Sequence, residues 1–245
     1  MTTHFFGIDL AWGERNPDGL AWLSTHTARP PAPVRAHETA LAHGDDACLQ
    51  WLRERLGPRD RALVLVDAPL VIPNRTGARP VDKLTHTLFR RQHAGCHPAY
   101  LDKCPRPPRL CRRLQEEGYD VGWRLTGPKR VVAEVYPHPA MVRLFGLPRI
   151  LKYKRGPVTE RRAEFARLQR LLRRCRREHF PDLELAPACR RLLRQPWTKP
   201  VEDQTDALFC ALIGLWHWQH RGRLTDILGD LKTGFILVPK SPPNT

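Results

Sequence analysis

The sequence lacks any long apolar run. No stretch of about 18 or more uncharged apolar residues occurs, and a membrane-spanning helix needs such a stretch. The first residues, MTTHFFGIDLAWG, also lack the basic segment, long apolar segment and small-residue cleavage site of a secretory signal. We therefore expect a soluble, cytoplasmic protein with no membrane partner.

The sequence also lacks the cysteine pattern of a disulfide-stabilised protein. Its seven cysteines are an odd number scattered over 245 residues, a length that folds without disulfides. Three of them, Cys96, Cys104 and Cys111, lie near His93 and His97 and could suggest zinc. Their spacing, C-x7-C-x6-C, lacks the short pairs of structural zinc sites, so packing or surface roles are favoured over zinc.

Acidic residues are scarce relative to basic ones. There are 25 Asp and Glu against 41 Lys and Arg, which gives a formal charge of +16. Such a positive field favours polyanions, either nucleic acid or an acidic membrane surface. A G-x-x-x-x-G-K-[ST] phosphate-binding loop is missing, so transfer of phosphate to a small metabolite ranks last among the candidate activities.

The order of the remaining segments predicts a single α/β domain over residues 1–245. Five segments have strand composition, and the fourth is an unbroken apolar run typical of a strand covered on both faces. They are residues 3–10, 19–24, 33–38, 62–66 and 130–137, with GFILVP as a further candidate for a final edge strand. Helical spacing occurs at residues 45–56, 137–144, 159–179, 186–193 and 200–220.

Residues 70–129 are interpreted as a basic insert between the fourth and fifth strands. They are rich in Pro and Arg and predict short helices near residues 80–92 and 107–118. The insert could clamp a nucleic-acid strand, although basic surface helices need have no such role. The arginines concerned are Arg90, Arg91, Arg106, Arg109, Arg112 and Arg113.

Four aspartates stand at the ends of predicted elements. Asp203 and Asp206, in VEDQTDALFCAL, are about one helical turn apart and can point at one object, or they can complement the helix dipole. Asp9 and Asp67 each close an apolar strand, and either could simply face solvent. If those two strands are adjacent and parallel, both acids lie at the edge where open α/β sheets bind ligands.

Such a cluster of carboxylates needs a cation, because the acids repel one another and otherwise retain protons. Oxygen ligands suit Mg²⁺ or Mn²⁺. Two such ions about 3.5 to 4 Å apart can stabilise the attacking and leaving oxygens of phosphodiester hydrolysis. An acidic pocket in a basic protein is therefore typical of an enzyme acting on nucleic acid.

The same acids resemble those of the RNase H-like fold, and of RuvC-like resolvases in particular. The whole chain is more closely similar to the bacterial family catalogued as domain of unknown function four hundred twenty-nine. The segments that carry this resemblance are GIDLAW, VDAPLVIPN, AGCHPAY, EVYPHPA, LFGL, LKYKRG and DQTDALFCA.

The resemblance implies a five-stranded mixed sheet flanked by helices, with strand one between strands two and four. Members are usually described as predicted nucleases, and the fold also hosts binding proteins. Carried over by position, the acids that match the nuclease pattern are Asp9, Asp67, Asp203 and Asp206. They are the candidate catalytic residues and ligands of two Mg²⁺ or Mn²⁺ ions.

Further candidates lie near these acids. Glu134, in the fifth strand, could be a fifth catalytic acid or ligand, a general base, or the partner of an Arg or Lys. His138 is favoured as a surface or helix-cap residue over a catalytic one. Lys152, Lys154 and Arg155 are candidate phosphate contacts of DNA or RNA, with Tyr153 between them for stacking, while the alternative is a solvated loop.

The leading hypothesis is a metal-dependent nuclease with a two-metal mechanism. In it the four aspartates hold the ions and one ion activates the attacking water. The alternative is a non-catalytic nucleic-acid-binding module that keeps the fold and the positive field.

Overall fold

The computed structural model describes residues 1–127 and 129–242 and has a mixed α/β fold around a seven-stranded, mostly parallel sheet. Neighbouring strands are parallel except at β1–β2 and β2–β3. In spatial order they are β5 (Asp120–Val121), β6 (Arg130–Glu134), β4 (Arg61–Val66), β1 (Thr3–Asp9), β2 (Asp18–Thr25), β3 (Val34–Ala42) and β7 (Leu183–Leu185).

The prediction of five strands was wrong, because two short strands extend the sheet at its edges. The strands β5 and β7 have only two and three residues, too few to give an alternating pattern in the sequence. The five predicted strands are the central ones, and β1 lies between β2 and β4 as the resemblance implied. GFILVP is not an edge strand of this sheet, since β9 (Gly234–Pro239) pairs with β8 (Thr225–Asp230) in a separate hairpin.

Helices cover both faces of the sheet. They are α1 (Gly44–Arg53), α2 (Pro80–Phe89), α3 (Arg106–Glu116), α4 (Pro137–Phe145), α5 (Val158–His179), α6 (Pro187–Leu192) and α7 (Lys199–Gln219). Each agrees with a predicted helix to within a few residues, although Pro157 rather than Thr159 caps α5. In the described ranges, no helix combines the length and the apolar character needed to cross a bilayer.

Successive side chains of β1 point to opposite faces of the sheet, and the core accordingly has two layers. Phe5 faces the larger layer, which includes α4, α5 and α7, whereas Phe6 and Ile8 face a smaller layer that includes α1 and α3. All three side chains are fully buried, because a central strand is covered on both faces.

Helix α7 lies unusually close to the sheet, where it crosses β1 and β2. A Cβ atom on Gly7 would come 1.9 Å from the carbonyl oxygen of Ala207, and one on Gly19 would come 2.1 Å from that of Asp203. Only glycine leaves room for this approach. The helix backbone therefore rests on the strands, and the residues around position 203 to 207 are held at a fixed height above them.

Two buried arginines attach the insert to the sheet. Arg79 pairs with Glu134 and Asp82 at 2.7 and 2.9 Å, and Arg106 pairs with Asp18 and Asp45 at 2.5 and 2.8 Å. Both arginines are 2 % exposed, so these contacts are made in the absence of water.

The predicted basic surface of the insert is partly neutralised by such contacts. Besides Arg106, Arg109 pairs with Glu14 and Asp45, and Arg113 pairs with Asp46. Of the six arginines, Arg106 is therefore buried in the fold, and the charges of Arg109 and Arg113 are paired with acids, which weakens the interpretation of the insert as a nucleic-acid clamp.

We predict that Gly7→Ala destabilises the protein by about 3 kcal/mol, the upper end of the usual range for overpacked cores, because the added methyl collides with backbone atoms of α7. Urea unfolding followed by circular dichroism measures this. Gly13→Ala is the matched control, since a methyl group at that position would meet no atom within 4 Å. Equal midpoints for both variants would contradict the close approach of α7.

Candidate active site

Three aspartates from distant parts of the chain surround the ammonium group of Lys154. Its Nζ lies 2.8 Å from Asp206 Oδ2 and 4.0 Å from both Asp9 Oδ1 and Asp67 Oδ2. The acids come from the end of β1, from the residue after β4 and from the second turn of α7. The site is therefore built where the sheet edge meets the helix.

The strand register explains why Asp9 and Asp67 meet. Ile8 and Val66 are partners in the parallel pairing of β1 with β4, and the N–H of Asp67 donates to the carbonyl oxygen of Ile8 at 2.8 Å. Each aspartate directly follows one of these partners, so both carboxylates lie at the same edge. The prediction of adjacent parallel strands is confirmed.

Asp206 is the innermost of the three acids and is fully buried. The hydroxyl of Tyr153 donates to its Oδ1 at 2.8 Å, and Lys154 contacts its Oδ2. Tyr153 is fully buried as well, so its ring is not available to stack on a base as the sequence suggested. Burial, followed by the charge of Asp206, raises the pKa of Tyr153 well above its usual value, so the phenol keeps the proton it donates.

Asp203 belongs to the same edge but has a different partner. Its Oδ1 lies 2.7 Å from Lys199 Nζ, which also contacts Glu202 at 2.8 Å. The helix is capped by Thr198, whose hydroxyl accepts from the N–H of Val201. Capping therefore does not explain Asp203 and Asp206, which lie beyond the first turn.

Glu134 does not point freely into the site. Its two carboxylate oxygens accept from Arg79 at 2.7 and 2.8 Å, and one also accepts from the N–H of Leu70 at 3.0 Å. Of the three roles left open by the sequence, the structure shows the arginine partner. The acid contributes to the site through its charge, which helps to raise the pKa of Asp67.

The cluster holds more negative charge than its lysine neutralises. Burial, together with the charges of Asp206 and Glu134 and against the opposing effect of Lys154, raises the pKa of Asp67 to about 7. Burial likewise raises the pKa of Asp9 well above its usual value. Burial alone would lower the pKa of Lys154, but Asp206 and Asp9 outweigh it and raise that pKa, so the ammonium stays charged.

The donors fit a divalent ion in chemistry and charge. Three carboxylates and one ammonium leave a formal charge of −2, and oxygen-only ligands suit Mg²⁺ or Mn²⁺. The side chains of Asp9 and Asp67 remain 14 % and 18 % exposed, so solvent reaches them. Over the residues that the structure describes, no group of three or more His, Cys, Asp or Glu is already arranged around a metal position. The ammonium of Lys154 lies among the three carboxylates.

The remaining candidates lie around the rim. Lys152 and Arg155 are exposed, and Arg155 contacts His97 Nε2 at 3.2 Å, while Lys154 points inward to the acids. His138 is partly buried beside the rings of Tyr136 and Tyr153, and burial lowers its pKa to about 3. The insert cysteines Cys96, Cys104 and Cys111 are all buried, as packing residues are.

The sequence reasoning named Tyr153 only as a stacking ring, not as a buried partner of Asp206, and it did not identify Arg79 as a site residue. A signal for Tyr153 was present, because Leu151 and Tyr153 alternate with the exposed Lys152 and so face the interior. Arg79 left no comparable signal, since one arginine among many does not reveal which of them is buried.

Comparison with known proteins identifies a family but assigns no function. Residues 7–232 match the model of a family described as "Protein of unknown function (DUF429)", and the match includes Asp9, Asp67, Asp206 and Lys154. No curated protein and no solved structure matches the chain. The resemblance found in the sequence motifs is thereby confirmed at the level of the family.

We predict that Asp67→Asn stabilises the metal-free protein at high pH. The folded state binds the proton of this carboxyl more tightly than the unfolded state, so its ionisation weakens the fold as the pH rises from 3.8 to about 7. Removing the charge should raise the melting temperature by roughly 2–4 °C at pH 8, which corresponds to about 1 kcal/mol.

Calorimetry in EDTA between pH 4 and pH 8 measures this effect, with Asp102→Asn, an exposed acid of the insert, as the control for a lost carboxylate. The gain should shrink towards zero at the acidic end. A melting temperature that falls at pH 8 would show that Lys154 fully compensates Asp67.

Proposed function

Because the chain belongs to the DUF429 family, whose description assigns no activity, we propose a function from its own geometry: a metal-dependent nuclease with an RNase H-like fold. The five central strands support the fold assignment. Their order is β3-β2-β1-β4-β6, with β2 antiparallel to both neighbours and β1, β4 and β6 mutually parallel. This order agrees with the resemblance in placing β1 between β2 and β4 of a mixed sheet, to which two edge strands are added.

The observation that carries the proposal is the convergence of Asp9, Asp67 and Asp206 on one cation. They are separated by at least 58 positions in the sequence, yet all three lie within 4.0 Å of one ammonium group. Buried carboxylates are costly unless they are paired, so a cluster that exceeds its own counter-charge indicates a function for the excess.

In this proposal Asp9, Asp67 and Asp206 hold Mg²⁺ or Mn²⁺. A bound divalent ion would supply positive charge against the phosphodiester and lower the pKa of the attacking water. Tyr153 keeps Asp206 in place through its hydrogen bond, and Glu134, neutralised by Arg79, forms the wall behind Asp67. A second ion, as predicted from the sequence, would require Asp203 to leave Lys199.

Lys154 has a defined part in this scheme. Its ammonium neutralises Asp206 directly and Asp9 and Asp67 at longer range. A divalent ion at the same carboxylates would compete with it, because both need the same oxygen atoms and repel each other. We therefore propose that Lys154 holds the cluster together without the ion and releases Asp206 when the ion binds.

The same lysine favours a second candidate function. If Lys154 stays paired with the three carboxylates, its ammonium takes the place of a metal ion. The protein would then bind nucleic acid without cutting it. The high positive charge supports binding equally in both cases.

We predict that the wild-type protein cleaves a nucleic acid in Mn²⁺ and that Asp9→Asn lowers the rate at least about 100-fold, because the ion loses a charged ligand. End-labelled single-stranded, duplex, hybrid and branched substrates, separated on denaturing gels, measure the cleavage. Asp102→Asn serves as the control and should keep the wild-type rate. Salt-sensitive binding without cleavage of any substrate would support the second candidate.

We also predict that Lys154→Gln binds Mn²⁺ at least about tenfold more tightly than the wild type, because a competing unit charge within 4.0 Å is removed. Isothermal titration calorimetry without substrate measures the affinity. Lys152→Gln makes the same charge change at an exposed neighbouring residue and should bind Mn²⁺ like the wild type. If Lys154 were only a phosphate contact, neither variant would change the metal affinity.

A further inference from the structure

A second charged feature lies away from the aspartates. A groove of about 260 Å³ opens between the second half of α5, β7 and α6. Its ionisable lining residues are five arginines and one acid, namely Arg173, Arg176, Arg177, Arg190, Arg194 and Glu184. We call this feature the arginine groove.

The walls of the arginine groove are held in place by neutral acceptors. Arg176 donates through Nε and Nη2 to the carbonyl oxygen of Leu183 at 2.9 and 2.7 Å, and Arg173 donates to the carbonyl oxygen of Leu193. Across the described ranges, none of the five arginines forms an ion pair with a carboxylate. The charges of Arg173 and Arg176 are thus fixed in position, and the charge of all five arginines is left for a ligand.

Like charge accumulates in the groove. Burial lowers the pKa of Arg173, and the neighbouring Arg194, Arg170 and Arg177 lower it further. An anion placed among them would relieve this repulsion, and the planar guanidinium groups match the geometry of phosphate oxygens.

We infer that the arginine groove binds phosphate groups in the backbone of a polynucleotide whose further course leads to the aspartate site. The identification of the ligand as a polynucleotide rests on the proposed function. It adds a binding site that is separate from the acids and would contact the substrate irrespective of base sequence.

Helix α5 connects the two sites. Its first turns adjoin the loop of Lys154, since the rings of Tyr153 and Phe165 are 6.1 Å apart and the N–H of Lys152 donates to Glu164 at 3.4 Å. Its 22 residues give a length of about 33 Å, roughly one turn of duplex DNA. Eight arginines lie along it: Arg161, Arg162, Arg167, Arg170, Arg173, Arg174, Arg176 and Arg177.

A polynucleotide fits these features better than a membrane surface does. A basic helix that binds a bilayer exposes an apolar face, but apart from Val158 at its first position the large apolar residues of α5 pack against the core, among them Phe165, Leu168 and Leu172. The large hydrophobic side chains that are exposed elsewhere do not line the groove. A concave site also suits a polymer strand better than a flat surface.

The test uses fluorescence anisotropy with a labelled duplex DNA oligonucleotide of about 20 base pairs in EDTA, at several salt concentrations. The groove variant Arg177→Gln/Arg194→Gln removes two exposed arginines that hold no backbone carbonyl, so the fold is preserved. We expect at least about tenfold weaker binding and a salt dependence reduced by about two in the log–log slope, since each lost phosphate contact contributes about 0.9.

The control variant is Arg59→Gln/Arg124→Gln, which makes the same change in net charge at two exposed arginines that precede β4 and β6, at the other end of the strand order from β7. Its affinity should stay within about twofold of the wild type, because distant charges are screened by salt. An equal loss in both variants would show that net charge, and not the groove, governs binding and would overturn the inference.

Two further arms identify the ligand. Inorganic phosphate that binds as tightly as the oligonucleotide would identify a site for free phosphate. Vesicles containing phosphatidylserine that bind the wild type but not the groove variant, with oligonucleotide binding unchanged, would identify a membrane site. The binding assay contains no metal, so its result does not depend on cleavage. A protein that cleaves no substrate but shows the expected loss of binding in the groove variant would therefore overturn the nuclease proposal and leave the groove inference intact.

Discussion

The structure depends on one constraint, which is that a carboxylate removed from water needs a cation. The constraint is met three times around the central sheet. Arg79 pairs directly with both Glu134 and Asp82, and Arg106 with both Asp18 and Asp45, in each case with short contacts and additional backbone hydrogen bonds. At the third place Lys154 faces three acids, two of them only at 4.0 Å.

The three places differ in how completely their acids are paired. This difference distinguishes charges that stabilise the fold from charges that are available for a function. The acids paired with Arg79 and Arg106 lie deep in the fold, and their partners close the insert against the sheet. Asp9 and Asp67 instead stay partly exposed to solvent and lie 4.0 Å from their cation. Incomplete pairing of these acids does not stabilise the fold. The excess negative charge of the aspartate cluster is therefore the feature that indicates a chemical function.

Strand positions and acids could be predicted from the sequence because they depend on local patterns. The apolar run before Asp67 indicated a central strand, and the parallel pairing placed its end beside Asp9. The role of Lys154 could not be predicted in this way, since it depends on how the loop after α4 folds back over the sheet edge. The sequence did not predict a sheet of seven strands, because the short strands β5 and β7 are determined by tertiary contacts rather than by composition.

The close contact of α7 with Gly7 and Gly19 has a consequence for how the site could diversify. A helix seated directly on two strands offers almost no freedom to slide or rotate, so substitutions elsewhere on its surface leave the carboxylate of Asp206 where it is. The exposed residues Lys152 and Arg155 of the neighbouring loop are free of that restriction. Diversification of this sheet edge would therefore proceed at such exposed loop positions, with the helix as an unchanging reference.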